Sequence, residues 1–187
     1  LMNSHARRSE EQLAKLALAH LGKKPHPKIL IGGLGMGFTL RAALGAVSSQ
    51  ASIVVAELNR VVVEWCQGPL APATHNAIGD PRVRVELGDV AALIAATPAG
   101  RFDAIILDLY EGPNAASQRR DDPFYGPAAL ARTHAALTAG GVLAVWAEDP
   151  DAPFAKRFTA AGFDVTSQSI GSGGRRHTVY LGRKGGT

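Results

Sequence analysis

The residues best suited to chemistry in this sequence are a run of glycines and four acids. The run is Lys28-Ile29-Leu30-Ile31-Gly32-Gly33-Leu34-Gly35-Met36-Gly37, and the acids are Glu57, Asp89, Asp108 and Glu111. Glycines let the backbone approach a ligand closely, and a helix starting behind them presents unpaired N–H groups. An acid about twenty residues on, at the tip of the next strand, can accept both hydroxyls of a ribose. Glu57 has that spacing. Gly32, Gly33, Gly35 and Gly37, with Glu57 and its neighbour Leu58, form one half of a candidate nucleoside cradle. Gly88, Asp89 and Val90 form the other, with Asp89 placed for an adenine amino group.

These positions work together only if the fold brings them to one edge. Ser9-Glu10-Glu11-Gln12 has the form of a capping box and opens a helix to about His20. Apolar strands are expected at Lys28–Ile31, Ile53–Glu57, Val83–Leu87, Phe102–Asp108 and Val142–Ala147. Helices fall between them: Phe38 to Val47, Asn59 to about Gln67, and Val90 to Ala96. The next starts at Asp122-Pro123, an N-cap followed by proline, and runs to Thr138. Asp151 caps a further helix to about Ala161. Phe163–Ile170 and His177–Gly182 read as a hairpin joined through Gly171-Ser172-Gly173-Gly174. Tyr110 to Asp122 is a long polar connection of the kind that lies over an active site.

Alternation of this kind makes an α/β fold. The expectation is a single Rossmann-like domain, a mainly parallel seven-stranded sheet with helices on both faces and a C-terminal antiparallel hairpin. Residues 1–27 read as an N-terminal helix and linker, and 28–187 as the domain. Ligands of such sheets bind at the carboxyl ends of the strands. Glu57, Asp89, Asp108, Glu111, Glu148, Asp149 and Asp151 all fall there, seven of the sixteen acids in a chain of net charge +4. Helix capping accounts for Asp151 and Asp149; the others call for a cationic or hydroxyl-rich ligand.

Composition narrows the classes. Hydrophobic residues make up 46% and charged residues 19% of 187, an ordinary globular balance. The basic residues are dispersed in pairs, without a stripe or interleaved aromatics, so no nucleic-acid partner is expected. No apolar run is long enough to span a membrane, and no secretory pattern opens the chain, so a cytoplasmic location is expected. One cysteine, Cys66, and six scattered histidines leave no metal site to expect. Phe38 stands where G-x-G-x-x-G needs its last glycine, which argues against a nicotinamide dinucleotide. A single nucleoside fits better. S-adenosylmethionine is one, and its sulfonium would be favoured by the acidic rim.

With these residues placed, the chain resembles the spermidine synthase-like branch of the class I S-adenosylmethionine-dependent methyltransferase superfamily. The matching stretches are Ile31-Gly32-Gly33 through Gly37, Val54-Val55-Ala56-Glu57, Gly88-Asp89 and Phe102 to Asp108. Phe124-Tyr125, and Leu137 through Gly140-Gly141-Val142-Leu143-Ala144, continue it, so the likeness covers roughly Lys28 to Ala147. It implies a transferase using S-adenosylmethionine or its decarboxylated form, no metal, and a small acceptor bearing an amine; self-association as a homodimer stays open. Two departures matter. The family's Gly-Gly-Gly-Asp-Gly-Gly has its aspartate, which holds the amine end of the decarboxylated donor, at the position read here as Gly35. The family's Asp-Ser-Ser-Asp-Pro is here Asp108-Leu109-Tyr110-Glu111-Gly112. The stretch before Lys28 also reads as too short for the family's small N-terminal β domain. Methyl transfer is therefore expected ahead of aminopropyl transfer, with a non-catalytic nucleoside-binding domain as the alternative from another class.

Asp108, at the strand end facing the donor, is expected among the cofactor-binding residues and is also the candidate base or amine anchor, helped by Tyr110 and Glu111. Trp65 and Val61 to Val63 read as helix packing, and Cys66 as a small core residue. Phe124 and Tyr125 read first as anchors of their helix. Trp146 divides evenly between core and pocket wall, and His177 is expected on an exposed hairpin.

Overall fold

The computed structural model describes residues 7–19, 21, 24–110, 112–113, 121–171 and 176–186. Glu111, most of the connection expected between Tyr110 and Asp122, and residues 172–175 of the expected hairpin lie outside the described residues. The chain runs α1 (Arg7–Ala19), β1 (Lys28–Gly32), α2 (Phe38–Ala46), β2 (Ser52–Glu57), α3 (Arg60–Gln67), β3 (Val83–Leu87), α4 (Val90–Ala96) and β4 (Phe102–Leu107). It continues through α5 (Pro127–Ala136), β5 (Leu137–Ala147), α6 (Ala152–Ala160), β6 (Phe163–Ile170) and β7 (His177–Lys184). The sheet has seven strands in the order β3-β2-β1-β4-β5-β7-β6. The first five are mutually parallel, and β7 is antiparallel to both β5 and β6.

Parallel strands covered on both faces must be apolar throughout, and β4 is buried at every position. Two apolar layers result. On one face Leu13, Ala14, Ala17 and Leu18 of α1 pack with Leu40 and Ala43 of α2 over Ile29, Ile31, Ile53 and Ile106. On the other, Val90 and Ile94 of α4, Leu130 of α5, and Phe154 and Phe158 of α6 cover Leu30, Ile105, Leu107 and Leu143. Register then fixes what emerges at the carboxyl edge. Gly32 pairs with Ala56 and with Leu107, Glu57 with Leu87, and Leu107 with Val145. Glu57, Gly88, Asp108 and Trp146 therefore leave the sheet side by side.

Four elements differ from the sequence reading. α1 already runs from Arg7, so Ser9 lies inside the helix and does not cap it. α5 begins at Pro127, with Gly126 as N-cap, and not at Pro123. Asp122 does cap, but what it caps is a turn: its Oδ1 accepts the N–H of Phe124 at 2.9 Å and of Tyr125 at 2.5 Å. The same side-chain chemistry serves either structure. β5 begins at Leu137, because the strand continues through Gly140, at φ 73°, with a register shift against β4. β7 reaches Lys184, whose Nζ donates to the carbonyls of His134 and Leu137 at 2.8 Å each. The hairpin is also more than an edge, since β7 sits inside the sheet and β6 forms its border.

The fit of β7 under α6 depends on Gly182. A β-carbon there would overlap the Phe158 ring, which is fully buried, tilted against Phe154 and edge-on to Phe163. Gly182→Ala is expected to lower unfolding free energy by about 1–3 kcal/mol in chemical denaturation. Adding Phe158→Leu should recover part of that loss; full additivity of the two changes would refute the overpacking explanation.

Candidate active site

The strand ends and the α1 start enclose a cavity of about 550 Å³. Of the residues singled out in the sequence, Gly33, Gly35, Glu57, Leu58, Gly88, Asp89, Val90, Asp108 and Tyr110 line it. Gly32 and Gly37 do not. Gly32 lies beneath Val90 and Leu107, and a β-carbon there would come within 3.0 Å of both. Gly37, at φ 82°, is the N-cap of α2 and faces Thr74.

Backbone donors set the acids of the nucleoside end. Glu57 accepts the N–H of Leu34 at 2.9 Å on Oε2 and the N–H of Asn59 at 2.8 Å on Oε1, so the second strand's acid is clamped to the glycine loop. Each oxygen keeps a further lone pair for a hydroxyl. Asp89 caps α4, its Oδ1 accepting the Ala91 N–H at 2.8 Å. Leu58, 76% exposed, together with Val62 and Val90, supplies apolar surface beside these acids.

Asp108 lies one residue beyond β4. Its N–H donates to the Gly32 carbonyl at 2.9 Å, and its Oδ2 accepts from the Thr39 hydroxyl at 2.5 Å. Burial raises its pKa to about 6, against which the Thr39 bond acts in the opposite sense. Tyr110 is 84% exposed at the cavity mouth. Cys66 is buried, its thiol 3.4 Å from the Gly35 carbonyl, and burial and Glu57 push it up to about 11, as suits a core residue.

Glu10 and His177 enter although the sequence reading had not placed them here, and Trp146 takes the second of its two readings. Glu10 of α1 lines the cavity, and burial, then the charges of Asp108 and Glu11, raise its carboxyl to about 7. Trp146 is a wall of the cavity. His177 is not on an exposed hairpin: Trp146 pairs with Val179, so His177 is its diagonal neighbour on the same face, with ring centroids 4.8 Å apart. Phe124 also lines the cavity, whereas Tyr125 is buried edge-on against Phe154. Among the described residues no cluster of His, Cys, Asp or Glu has metal-binding geometry, and no helix is long and apolar enough to cross a membrane.

Comparison with known proteins now has a site to refer to. The profile of the spermine/spermidine synthase domain matches residues 11–160. The chain belongs to that family. Putrescine N-methyltransferase 1 of Nicotiana tabacum is 39% identical over 131 residues, which is 68% of this chain and 32% of that protein. Spermidine synthase 1 of Hyoscyamus niger is 33% identical over 140 residues, 74% of this chain and 41% of that one. The chain thus spans a third to two fifths of the length of these plant relatives. In structure, the family member superposes on the spermidine synthase of Thermotoga maritima with a TM-score of 0.78 at 21% identity, covering 96% of this chain and 60% of that one. A carbon methyltransferase, CurJ, shares the fold at a TM-score of 0.64 and 14% identity.

The two raised carboxyls give this domain a pH signature. Both hold protons in the folded state at pH values where the unfolded chain has released them, so stability is fully present below about pH 4 and falls as pH rises toward 7. After allowance for partial solvent screening, the fall attributable to the pair is about 2 kcal/mol. Asp108→Asn, which keeps an acceptor for Thr39, is expected to flatten the fall between pH 5 and pH 8 in thermal unfolding. An unchanged slope would show that Asp108 titrates normally.

Proposed function

We propose that this domain is the catalytic part of an S-adenosylmethionine-dependent transferase that methylates a small amine. The observation that carries the reading is the position of Asp108. A partly buried carboxylate with raised proton affinity shares one cavity with the glycine loop and Glu57. The relatives named for putrescine N-methylation and for spermidine synthesis support the same class of acceptor.

The residues present fit the donor. Glu57 offers oxygens to ribose hydroxyls, Asp89 borders the base position, and Leu58, Val62 and Val90 offer apolar faces. When bound, the donor supplies a carbon activated by a sulfonium. The protein's task is to position an amine in line and remove its proton. Asp108 meets both needs: as a carboxylate it attracts an ammonium, and its raised pKa makes it a better proton acceptor than an exposed aspartate. Tyr110, at the mouth, and Glu111 are further candidates for holding the acceptor.

Methyl transfer ranks ahead of aminopropyl transfer because the loop from Gly32 to Gly37 contains no acid. A donor with a carboxylate tail meets no like charge there, and the α2 N-terminus behind Gly37 favours an anion. Calorimetry should show S-adenosylmethionine binding at least about tenfold tighter than its decarboxylated form. Gly35→Asp, at a φ of +52° that aspartate tolerates better than most residues, should narrow or reverse that ratio. A wild-type preference for the decarboxylated donor would establish aminopropyl transfer instead. Asp108→Asn should reduce kcat by about 10²–10⁴-fold with donor affinity little changed; unchanged turnover would remove Asp108 from the mechanism.

A further inference from the structure

We propose that Glu10, carried by α1, is a catalytic residue of the amine site, forming with Asp108 a two-carboxyl clamp that holds the acceptor's reacting ammonium and takes a proton from it. The inference rests on the amine-transfer reading above and adds a residue outside the glycine loop and strand ends that define the donor site.

The geometry is specific to α1. Leu13, Ala14, Ala17 and Leu18 are buried, so the helix cannot swing away from α2 and the sheet. Glu10 lies one turn before Leu13 and Ala14 and projects into the same cavity as Asp108 and Gly33. Thr39, in the first turn of α2, lies between Asp108 and the backbone of Glu10. Its hydroxyl has one proton, given to Asp108 Oδ2 at 2.5 Å, and it also approaches the Glu10 backbone carbonyl at 3.4 Å. Thr39 thus places the Asp108 carboxylate against the α1 backbone at Glu10.

The surrounding charges leave the pair as the proton acceptor. Glu11 follows on the same helix and adds negative charge. From β7, His177 faces the cavity, and Glu148 follows β5 at its rim; Glu57 and Asp89 belong to the opposite end. Arg41, the charged residue of α2, reaches toward the Ala73 carbonyl, and Asp103 of β4 is held by Lys24 at the far edge of the sheet. Burial raises the proton affinity of both carboxyls, and the Asp108 charge adds to it at Glu10, which a lone surface acid could not match. In the step itself one N–H bond of the ammonium breaks. Its electron pair stays on nitrogen as the lone pair, and the proton becomes the O–H of a carboxyl. A cation facing two carboxylates becomes a neutral amine facing one carboxylate and one carboxylic acid. A neutral hydroxyl acceptor would leave the pair uncompensated, so the clamp selects amines.

The test uses Glu10→Gln with putrescine and S-adenosylmethionine as separate calorimetric probes, at pH 6 and pH 8. The variant should bind S-adenosylmethionine within about twofold of wild type and putrescine about ten- to a hundredfold more weakly at pH 8. The dependence of kcat/KM on pH should also change on its acid limb, with no loss of thermal stability. Unchanged amine affinity and an unchanged pH profile would overturn the proposal, as would a lowered Tm with both of those intact, which is the mark of a structural role. Absence of S-adenosylmethionine binding in wild type would instead refute the parent reading. If Glu10→Gln does not fold, Glu10→Asp, which withdraws the carboxyl by one methylene, should show the same losses to a smaller degree; wild-type amine binding and pH profile in that variant would overturn the proposal.

Discussion

The close approach of Gly33 to Asp108 is the contact on which the site depends. Gly33 sits at φ +89°, and a β-carbon on it would overlap the Asp108 carbonyl oxygen. Beside it the Asp108 N–H donates to the Gly32 carbonyl at 2.9 Å, carrying the pairing of β1 and β4 one residue past the sheet. The glycine loop and the acid thereby become one wall. The loop then turns tightly, with the Gly37 N–H on the Leu34 carbonyl at 2.8 Å, and launches α2 so that Thr39 in its first turn reaches Asp108. Any side chain at position 33 would separate the donor cradle from the candidate base, whatever else the fold kept.

Around that wall the acids divide by how they are satisfied. Glu57 receives two backbone N–H groups, and Asp89 receives one as a helix cap. Charge-assisted bonds of this kind stabilise a carboxylate as a fixed acceptor for hydroxyls. Asp108 has a single hydroxyl donor and is held up near 6 by burial, and Glu10 rises further to about 7. Acids in one cavity with environments this different suit different tasks, and the proposed reading follows that division: the first two recognise, the second two exchange protons. The net charge of +4 hides this arrangement, because the basic residues are spread over the surface.

The donor half of the site was legible because each part is local. A glycine run follows an apolar strand, an acid ends the next, and continuous apolar patterning makes β1, β2 and β4 unmistakable as buried parallel strands. The misreadings have equally local causes. Asp122-Pro123 carries a true capping signal that the chain uses for a turn, and Gly140 masks the start of β5 because glycine usually ends elements. Glu10 and His177 were not legible in that way. Glu10 was read as part of a capping box, although its place one turn before Leu13 and Ala14 puts it on the helix's buried face. Nothing near His177 in sequence announces that strand insertion sets it diagonal to Trp146.

That insertion also explains why the two halves of the site differ in kind. β1 through β4 run parallel, so all present carboxyl ends to the cavity, and the proposed donor half is assembled from consecutive strand–loop junctions. β7 runs the other way between β5 and β6, so it presents its beginning, His177, to the same edge. The opposite wall is therefore built from the start of α1, the end of β5 and the start of β7, three places far apart in sequence. A substitution at one of them alters this wall, the acceptor side of the proposed reading, without disturbing the Gly33–Asp108 wall or the clamp on Glu57. A family can hold its donor site constant while such walls change. Relatives named for methyl transfer and for spermidine synthesis, matching this chain over 131 and 140 residues, are what that division of labour would produce.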